Sequence, residues 1–153
     1  MPEIKITDTK IIKYEFEVPI KRAAKDIWSV LVSRIDAWWM PDFRALGNDS
    51  VMSLRPEIGG GLTETSPDGN ALEWYRVQMA TRDKSLYLVG YMAPDWGGPT
   101  VSMLKLAVES RGEFGALIVS DALLGNVTES SGQSAAEGWQ VMFGESFKKH
   151  AEA

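Results

Sequence analysis

The second half of the sequence is a succession of short strand patterns joined by tight turns, and this arrangement restricts the fold more than any other feature. The links between the patterns are short and polar or glycine-rich, apart from one longer loop that contains Trp96. Because strands joined by short links pair antiparallel, the sequence predicts an antiparallel meander. The strand patterns lie near residues 62–66, 71–81, 84–92, 100–110 and 113–123.

A strand and two short helical patterns come before the meander. Residues 10–18 alternate between apolar and charged side chains, which is the period of a half-buried strand. Residues 26–35 then carry apolar side chains at helical spacing, and residues 37–40 are predicted to form a second short helix that stops at a proline.

The chain closes with a long amphipathic pattern over residues 134–151, where the spacing of Ser134 and Glu137 is typical of a helix-capping box. A curved sheet needs a cover for its inner face, and this helix is the only long element available. We therefore predict a single α+β domain over residues 1–153. In it, a curved antiparallel sheet of six to seven strands wraps around the long C-terminal helix, with two short helices after the first strand.

Composition removes several kinds of function. The 153 residues contain no cysteine and one histidine, so thiolate and multi-histidine metal sites are excluded and a Ser-His-Asp triad is disfavoured. The net charge of −5 has the wrong sign for nucleic-acid or anionic membrane partners. Neither the apolar run of a signal peptide nor a stretch long enough to span a membrane occurs. We therefore expect a cytoplasmic protein with no metal, no cofactor and no membrane insertion.

Four stretches of the sequence carry a resemblance to a known superfamily. The first strand runs into VP at 18–19, which is followed by DIWSVL at 26–31. IDAWW stands at 35–39, PEIGG precedes a strand at 56–60, and the terminal helix holds GW at 138–139. In their order and spacing, over nearly the whole chain, these stretches resemble the START-like SRPBCC superfamily. The likeness is greatest to its branch of polyketide cyclase-like proteins and activators of the heat-shock chaperone ATPase.

The resemblance implies a helix-grip fold, in which the sheet and the terminal helix enclose an apolar cavity. Members of this superfamily include lipid carriers, hormone receptors, cyclases, hydrolases and chaperone regulators, so the fold alone assigns no reaction. This chain departs from the superfamily pattern at residues 117–121 and at Trp74 and Tyr75. We expect the protein to bind a small hydrophobic or amphipathic molecule in that cavity.

Large apolar side chains and a few polar ones are the candidates for the cavity wall. Tyr75 and Met79 alternate with the polar Arg76 and Gln78, which predicts that both point inward. The alternative is that the aromatic and methionine side chains fill the core of an ordinary domain. The predicted ligand-binding residues are Trp39, Tyr75, Met79, Trp96, Leu104, Leu117, Asp121, Met142 and Ser146.

Asp121 is the candidate catalytic residue, although no nucleophile–base pair can be recognised around it. Lys105 and Glu109 must face water, so Ser102 faces inward on the same strand. The resemblance places the Leu117 face of the next strand inward as well, which points Asp121 into the cavity. An apolar cavity would raise the pKa of this carboxyl group and suit it to acid or base catalysis. Two alternatives stay open: Asp121 is solvated at the strand end, or the phase is reversed and the neighbouring serine lies inside.

Two other functions also stay open. An enzyme similar to a cyclase or hydrolase would use Asp121 for proton transfer while Tyr75 or Arg76 orients a carbonyl group. A chaperone-regulating interaction protein would need an exposed apolar patch. The candidates for that patch are Trp38, Trp39, Met40 and Phe43. The sequence identifies neither the ligand nor the inward phase of the strand at 84–92, and it leaves open whether the chain forms a homodimer.

Overall fold

The computed structural model describes all residues, 1–153, and contains one antiparallel sheet of seven strands. The strands are β1 (Lys10–Ile20), β2 (Val51–Leu54), β3 (Gly61–Thr65), β4 (Ala71–Thr81), β5 (Ser85–Met92), β6 (Thr100–Arg111) and β7 (Phe114–Gly125). Their order across the sheet is β1-β7-β6-β5-β4-β3-β2. The predicted α+β class and the meander are confirmed, because every strand from β2 to β7 pairs antiparallel with the next one along the chain.

Two helices follow β1, and one long helical segment ends the chain. The first two are α1 (Ala24–Ser33) and α2 (Ile35–Trp38), and single 3₁₀ turns lie at Pro41–Phe43 and Pro94–Trp96. The final segment, here called the terminal helix, consists of α3 (Glu129–Val141), a π-helical turn (Met142–Phe147) and α4 (Lys148–Glu152). None of these helices is long and apolar enough to cross a membrane.

The terminal helix packs across the inner face of the sheet through a cluster of aromatic rings. The Trp38 ring centroid lies 5.6 Å from that of Phe143 and 5.2 Å from that of Phe147. All three side chains are fully buried, so they join α2 to the terminal helix over the sheet. Ring pairs in such tilted and edge-on arrangements contribute about 0.5–1.5 kcal/mol each beyond the area that they bury.

The terminal helix begins at Glu129, so the predicted start at Ser134 and Glu137 is wrong. Thr128 is the N-cap, and its side chain accepts a hydrogen bond from the Ser131 amide at 3.1 Å. The Ser131 hydroxyl in turn accepts from the Thr128 amide at 2.8 Å. This reciprocal pair satisfies two of the free amides at the start of the helix, which is the role that the sequence spacing assigned to Ser134.

Strand β4 carries an irregularity that reverses its later side chains. Val77 pairs with Leu88 and Met79 with Tyr87, so Gln78 is an extra residue in the ladder. A bulge of this kind shifts the alternation by one position. Met79 is consequently 52% exposed, and the prediction that it shares the inner face with Tyr75 is wrong.

Candidate functional site

A pocket of about 320 Å³, here called the inner pocket, lies between the inner face of the sheet and the terminal helix. Eleven of the 18 residues that line it are hydrophobic, so its wall suits an apolar molecule. Strands β4 to β7 form its floor, and α3 forms one side through Gly138 and Trp139. Tyr91 and Trp96 also belong to the lining and are 72% and 54% exposed, so they mark the mouth of the pocket.

A second bulge in β4 turns two consecutive aromatic side chains toward the inner pocket. Trp74 is an extra residue opposite β3, so Trp74 and Tyr75 both line the pocket instead of alternating. Gly90 on β5 makes room for the Tyr75 ring, because a Cβ atom there would lie 2.9 Å from two ring carbons. The Trp74 indole donates a hydrogen bond to Glu64 Oε1 at 3.0 Å, which fixes the orientation of the indole ring.

Four side chains from four strands form a hydrogen-bonded group at the inner end of the pocket. This group, here called the acid cluster, consists of Tyr14, Tyr75, Ser102 and Asp121. Tyr14 Oη donates to Asp121 Oδ2 at 2.6 Å, and Ser102 Oγ donates to Asp121 Oδ1 at 2.8 Å. Tyr75 Oη lies 2.8 Å from Ser102 Oγ, and Tyr75 is the donor because the only hydroxyl hydrogen of Ser102 is committed to Asp121. Three hydroxyl groups thus converge, directly or in relay, on one carboxylate.

The strand register explains why Asp121 points inward. Tyr14 and Leu104 lie directly opposite Asp121 on the two neighbouring strands, and opposite side chains share one face of a sheet. Asp121 is only 4% exposed, as the alternation predicts for an inward position. The neighbouring Ser120 points to the outer face, where its hydroxyl donates to Glu15 at 2.8 Å. The alternatives of a solvated Asp121 or a reversed phase therefore do not hold.

Burial shifts the pKa values of the acid cluster upward. It raises the pKa of the Asp121 carboxyl above its ordinary value, while the hydrogen bonds from Tyr14 and Ser102 offset part of that rise. Burial also raises the pKa of the Tyr14 and Tyr75 hydroxyls, and the negative charge of Asp121 raises both further. Both tyrosines therefore remain protonated in neutral solution, and Asp121 is the group in the cluster that changes its charge.

We expect the Asp121 carboxyl to titrate above about 3.9, the ordinary value for aspartate. Because the folded state holds this proton more tightly than the unfolded chain, the contribution of Asp121 to stability declines as the pH rises from that value through the folded-state pKa. The measurement is an NMR titration of the Asp121 carboxyl carbon against pH. A midpoint at or below the ordinary value would contradict the effect of burial.

A second buried carboxylate, Glu64, holds the wall of the pocket in place. Its oxygens accept hydrogen bonds from the amides of Ala45 and Leu46 at 3.0 and 2.8 Å and from the Ser50 hydroxyl at 2.7 Å, in addition to the bond from Trp74. Burial raises the pKa of Glu64, but the four hydrogen bonds outweigh it and bring the pKa below the ordinary value. Glu64 is therefore charged at neutral pH and anchors the loop that follows α2.

Four of the predicted ligand-binding residues line the inner pocket. They are Tyr75, Trp96, Asp121 and Met142. Leu104 and Leu117 are fully buried in the hydrophobic core, outside the lining of the inner pocket. Their side chains therefore contribute to folding and lie away from the surface of the pocket.

Trp39 and Ser146 also lie behind the pocket wall. Trp39 is 2% exposed, and its ring packs against those of Trp74 and Trp139 at centroid distances of 5.4 and 6.0 Å. The Ser146 hydroxyl donates to the Trp38 carbonyl at 2.5 Å and joins the terminal helix to α2. Both residues support the wall and do not face the cavity.

The exposed apolar patch that a chaperone-regulating function would require after α1 is absent. Trp38 and Trp39 are 1% and 2% exposed, because their rings pack into the core under the terminal helix. Met40 and Phe43 are only partly accessible, and Phe43 belongs to the lining of the inner pocket. This segment therefore offers no apolar surface of the kind that a partner-binding patch requires.

Several residues that line the inner pocket were not predicted, although the spacing of residues on the terminal helix indicated two of them. Ser134, Gly138 and Met142 stand four residues apart on the terminal helix and all line the pocket. Residues at this spacing share one helix face, so the position of Met142 was sufficient to assign the other two. Trp74 carried no such signal, since its inward position depends on the bulge.

The charged side chains in the lining are both acidic. They are Glu73 and Asp121, and no lysine, arginine or histidine joins them. Glu73 is paired with Arg76 at 3.2 Å near the surface, so Asp121 is the unpaired charge inside the pocket. No group of three or more histidine, cysteine, aspartate or glutamate side chains comes together to hold a metal ion.

Solved structures of other proteins share this architecture. Protein Mll3558 from Rhizobium loti superposes with a TM-score of 0.72 at 15% identity, over 96% of this chain and 100% of its own. For Ara h 8.0201 the TM-score is 0.66 at 11% identity, over 93% of this chain and 98% of its own. For DynU16, from the dynemicin biosynthetic locus, it is 0.67 at 14% identity, over 92% of this chain and 47% of its own.

This chain has a helix-grip fold. Its long terminal helix across a seven-stranded antiparallel sheet is the architecture that these neighbours share. No protein-family model and no curated protein sequence matches the chain. At identities between 11% and 15% the likeness shows the fold alone and carries no reaction.

Proposed function

We propose that the protein binds a small, mainly apolar molecule in the inner pocket and that one polar group of this ligand meets the acid cluster. The observation that carries the proposal is the position of Asp121, buried at the end of an otherwise apolar pocket. Glu64 is stabilised by its four hydrogen bonds, whereas burial outweighs the hydrogen bonds of Asp121 and raises its pKa, so the charged form of Asp121 costs stability where it lies. A few convergent polar groups in an apolar wall are typical of ligand sites.

The aromatic wall supports a ligand that contains a flat ring. Tyr75 and Trp139 face the pocket from opposite sides, on the sheet and on the terminal helix, with ring centroids 6.2 Å apart. Trp139 is held from behind by the nearly parallel ring of Phe143 at 5.3 Å. Rings fixed in this way lose little conformational entropy when a ligand packs against them.

We also propose that the chain belongs to the polyketide cyclase-like and chaperone-activator-like branch of its superfamily. The motifs VP at 18–19, IDAWW at 35–39 and GW at 138–139 support this assignment. The fold is also similar to that of DynU16, a protein from the dynemicin biosynthetic locus. Within that branch, a cavity ligand fits this chain better than a chaperone partner, because Trp38 and Trp39 are buried.

Native mass spectrometry tests the binding proposal. We expect the protein, purified without denaturant, to carry a discrete added mass that leaves on denaturation. The reason is that an apolar pocket of about 320 Å³ favours an apolar occupant over water. A protein that shows only its own mass, and that takes up none of a panel of added apolar ring compounds, would contradict the proposal.

A second candidate function is proton-transfer catalysis of the cyclase or hydrolase kind. It is favoured by the raised pKa of Asp121 together with the relay from Tyr75 through Ser102 to this carboxylate. The same mass-spectrometric experiment separates the two functions. If the protein is an enzyme, the wild type should convert the recovered molecule during incubation, and the Asp121→Asn variant should bind that molecule without converting it. If it is a binding protein, the mass of the molecule should stay the same with the wild type and with the variant.

A further inference from the structure

We infer that the polar group of the ligand is a hydrogen-bond donor without negative charge, a hydroxyl or an ammonium group, and that carboxylate ligands are excluded. This inference rests on the proposed function, since it concerns the molecule that the inner pocket binds. It follows from the hydrogen atoms that the acid cluster has already committed and from the charge of the lining.

Every hydroxyl hydrogen of the acid cluster is used within the cluster. Tyr14 and Ser102 each donate to one oxygen of Asp121, and Tyr75 donates to Ser102. A hydroxyl group has one hydrogen to donate, so none remains for a ligand. What remains is acceptor capacity at Tyr75 Oη, which accepts no hydrogen bond within the protein, and the negative charge of Asp121, which also receives hydrogen bonds from the Ala122 amide and the Trp139 indole. The inner end of the pocket therefore offers an acceptor and a negative charge to a ligand.

The remaining polar groups of the lining do not reverse this preference. The Trp74 indole is committed to Glu64 at 3.0 Å, the Trp139 indole is directed at Asp121, and the Thr100 hydroxyl is directed at the Asn126 carbonyl at 3.5 Å. Tyr91, Trp96 and Ser134, whose donors have no protein partner, are exposed at the mouth, where water competes for them. A carboxylate at the inner end would meet the acceptor Tyr75 Oη and the like charge of Asp121 in a place with little solvent screening.

A matched series of naphthalene compounds tests the inference on the wild-type protein. The compounds are naphthylmethylamine, naphthylmethanol, naphthoate and methylnaphthalene, all substituted at the same ring carbon, and each is titrated at neutral pH by calorimetry. The amine and the carboxylate have the same ring and one charge each, so an apolar pocket without the acid cluster would exclude both to the same extent. We expect the amine to bind at least about tenfold more tightly than naphthoate, since a charge-assisted hydrogen bond replaces a like-charge contact.

Variants connect this preference to Asp121. Asp121→Asn keeps the shape of the side chain, removes its charge and adds an N–H donor, so the ratio of amine to naphthoate affinity should fall toward one. Glu137→Gln removes the same charge from a residue of the terminal helix outside the lining, and the ratio should stay as in the wild type. Comparison of naphthylmethanol with the amine then shows whether hydroxyl or ammonium is preferred.

The outcomes separate this inference from the proposed function. Binding of methylnaphthalene together with equal affinities for the amine and naphthoate, or with tighter binding of naphthoate, overturns the inference and leaves the binding function intact. Failure of all four compounds to bind overturns both. A strong preference for the amine that Asp121→Asn leaves unchanged also overturns the inference, because another group would then be responsible.

Discussion

Replacement of Gly138 by leucine is expected to weaken ligand binding strongly while leaving the protein at least as stable as the wild type. Gly138 lines the inner pocket, and a Cβ atom there would meet only Phe43 Cε1, at 3.6 Å. The Cβ atom of a leucine therefore has room, and the rest of its side chain would occupy space in the pocket. We expect affinity for methylnaphthalene to fall on the order of 100-fold, because the ligand must displace packed atoms.

The stability of the same variant should rise by about 0.5–1 kcal/mol, since glycine is a poor helix former and leucine a good one. Denaturant unfolding measures this change, and calorimetric titration measures the affinity. Gly144→Leu is the matched control: it lies on the same terminal helix, outside the inner-pocket lining, and a Cβ atom there has no neighbour within 4 Å. Unchanged affinity in Gly138→Leu, or equal losses in both variants, would place the ligand elsewhere.

Glu64→Gln is expected to cause the largest loss of stability among single substitutions of polar residues. The glutamine side chain has nearly the same shape, but one carboxylate oxygen becomes an NH2 group that faces hydrogen-bond donors. Those donors are the amides of Ala45 and Leu46, the Ser50 hydroxyl and the Trp74 indole. We expect the free energy of unfolding to fall by about 3 kcal/mol, and Tm by roughly 6–12 °C.

Chemical denaturation and thermal unfolding measure this effect, with Glu57→Gln as the control. Glu57 is an exposed partner of Arg55, so its replacement should change stability by less than about 0.5 kcal/mol. The effect of Glu64→Gln should also depend on pH. Because the pKa of Glu64 is lowered by folding, its contribution is present above about 4.3 and is lost as the pH falls through the folded-state value. A loss below about 1 kcal/mol at neutral pH would contradict the anchoring role.

Much of the fold follows from the sequence because its strands alternate cleanly. In β6 the charged Lys105 and Glu109 fix the outward face, so the inward position of Ser102 follows from spacing alone. For β7 the inward phase of Asp121 came from the resemblance, and two alternatives stayed open. The register of the structure, in which Leu104 lies opposite Asp121, decides between them.

Other parts of the fold and of the pocket depend on features that leave no trace in the alternation of apolar and polar residues. The bulges at Trp74 and Gln78 shift the alternation of β4, which brings Trp74 into the pocket and takes Met79 out of it. The donors that surround Glu64 include two backbone amides, whose positions depend on the path of a loop. The position of Trp38 in a helical pattern fits a buried side chain and an exposed one equally well. It is buried because the terminal helix packs against its ring.

Methionine-methyl NMR tests the central claim, that the inner pocket binds an apolar ligand, most directly. Met92 and Met142 line the inner pocket, whereas Met79 and Met103 are 52% and 54% exposed and lie outside its lining. Addition of methylnaphthalene should shift the Met142 and Met92 methyl resonances through the ring current of the ligand and leave those of Met79 and Met103 in place. Shifts at Met79 and Met103 with an unchanged Met142 would contradict the account, because the ligand would then bind outside the inner pocket.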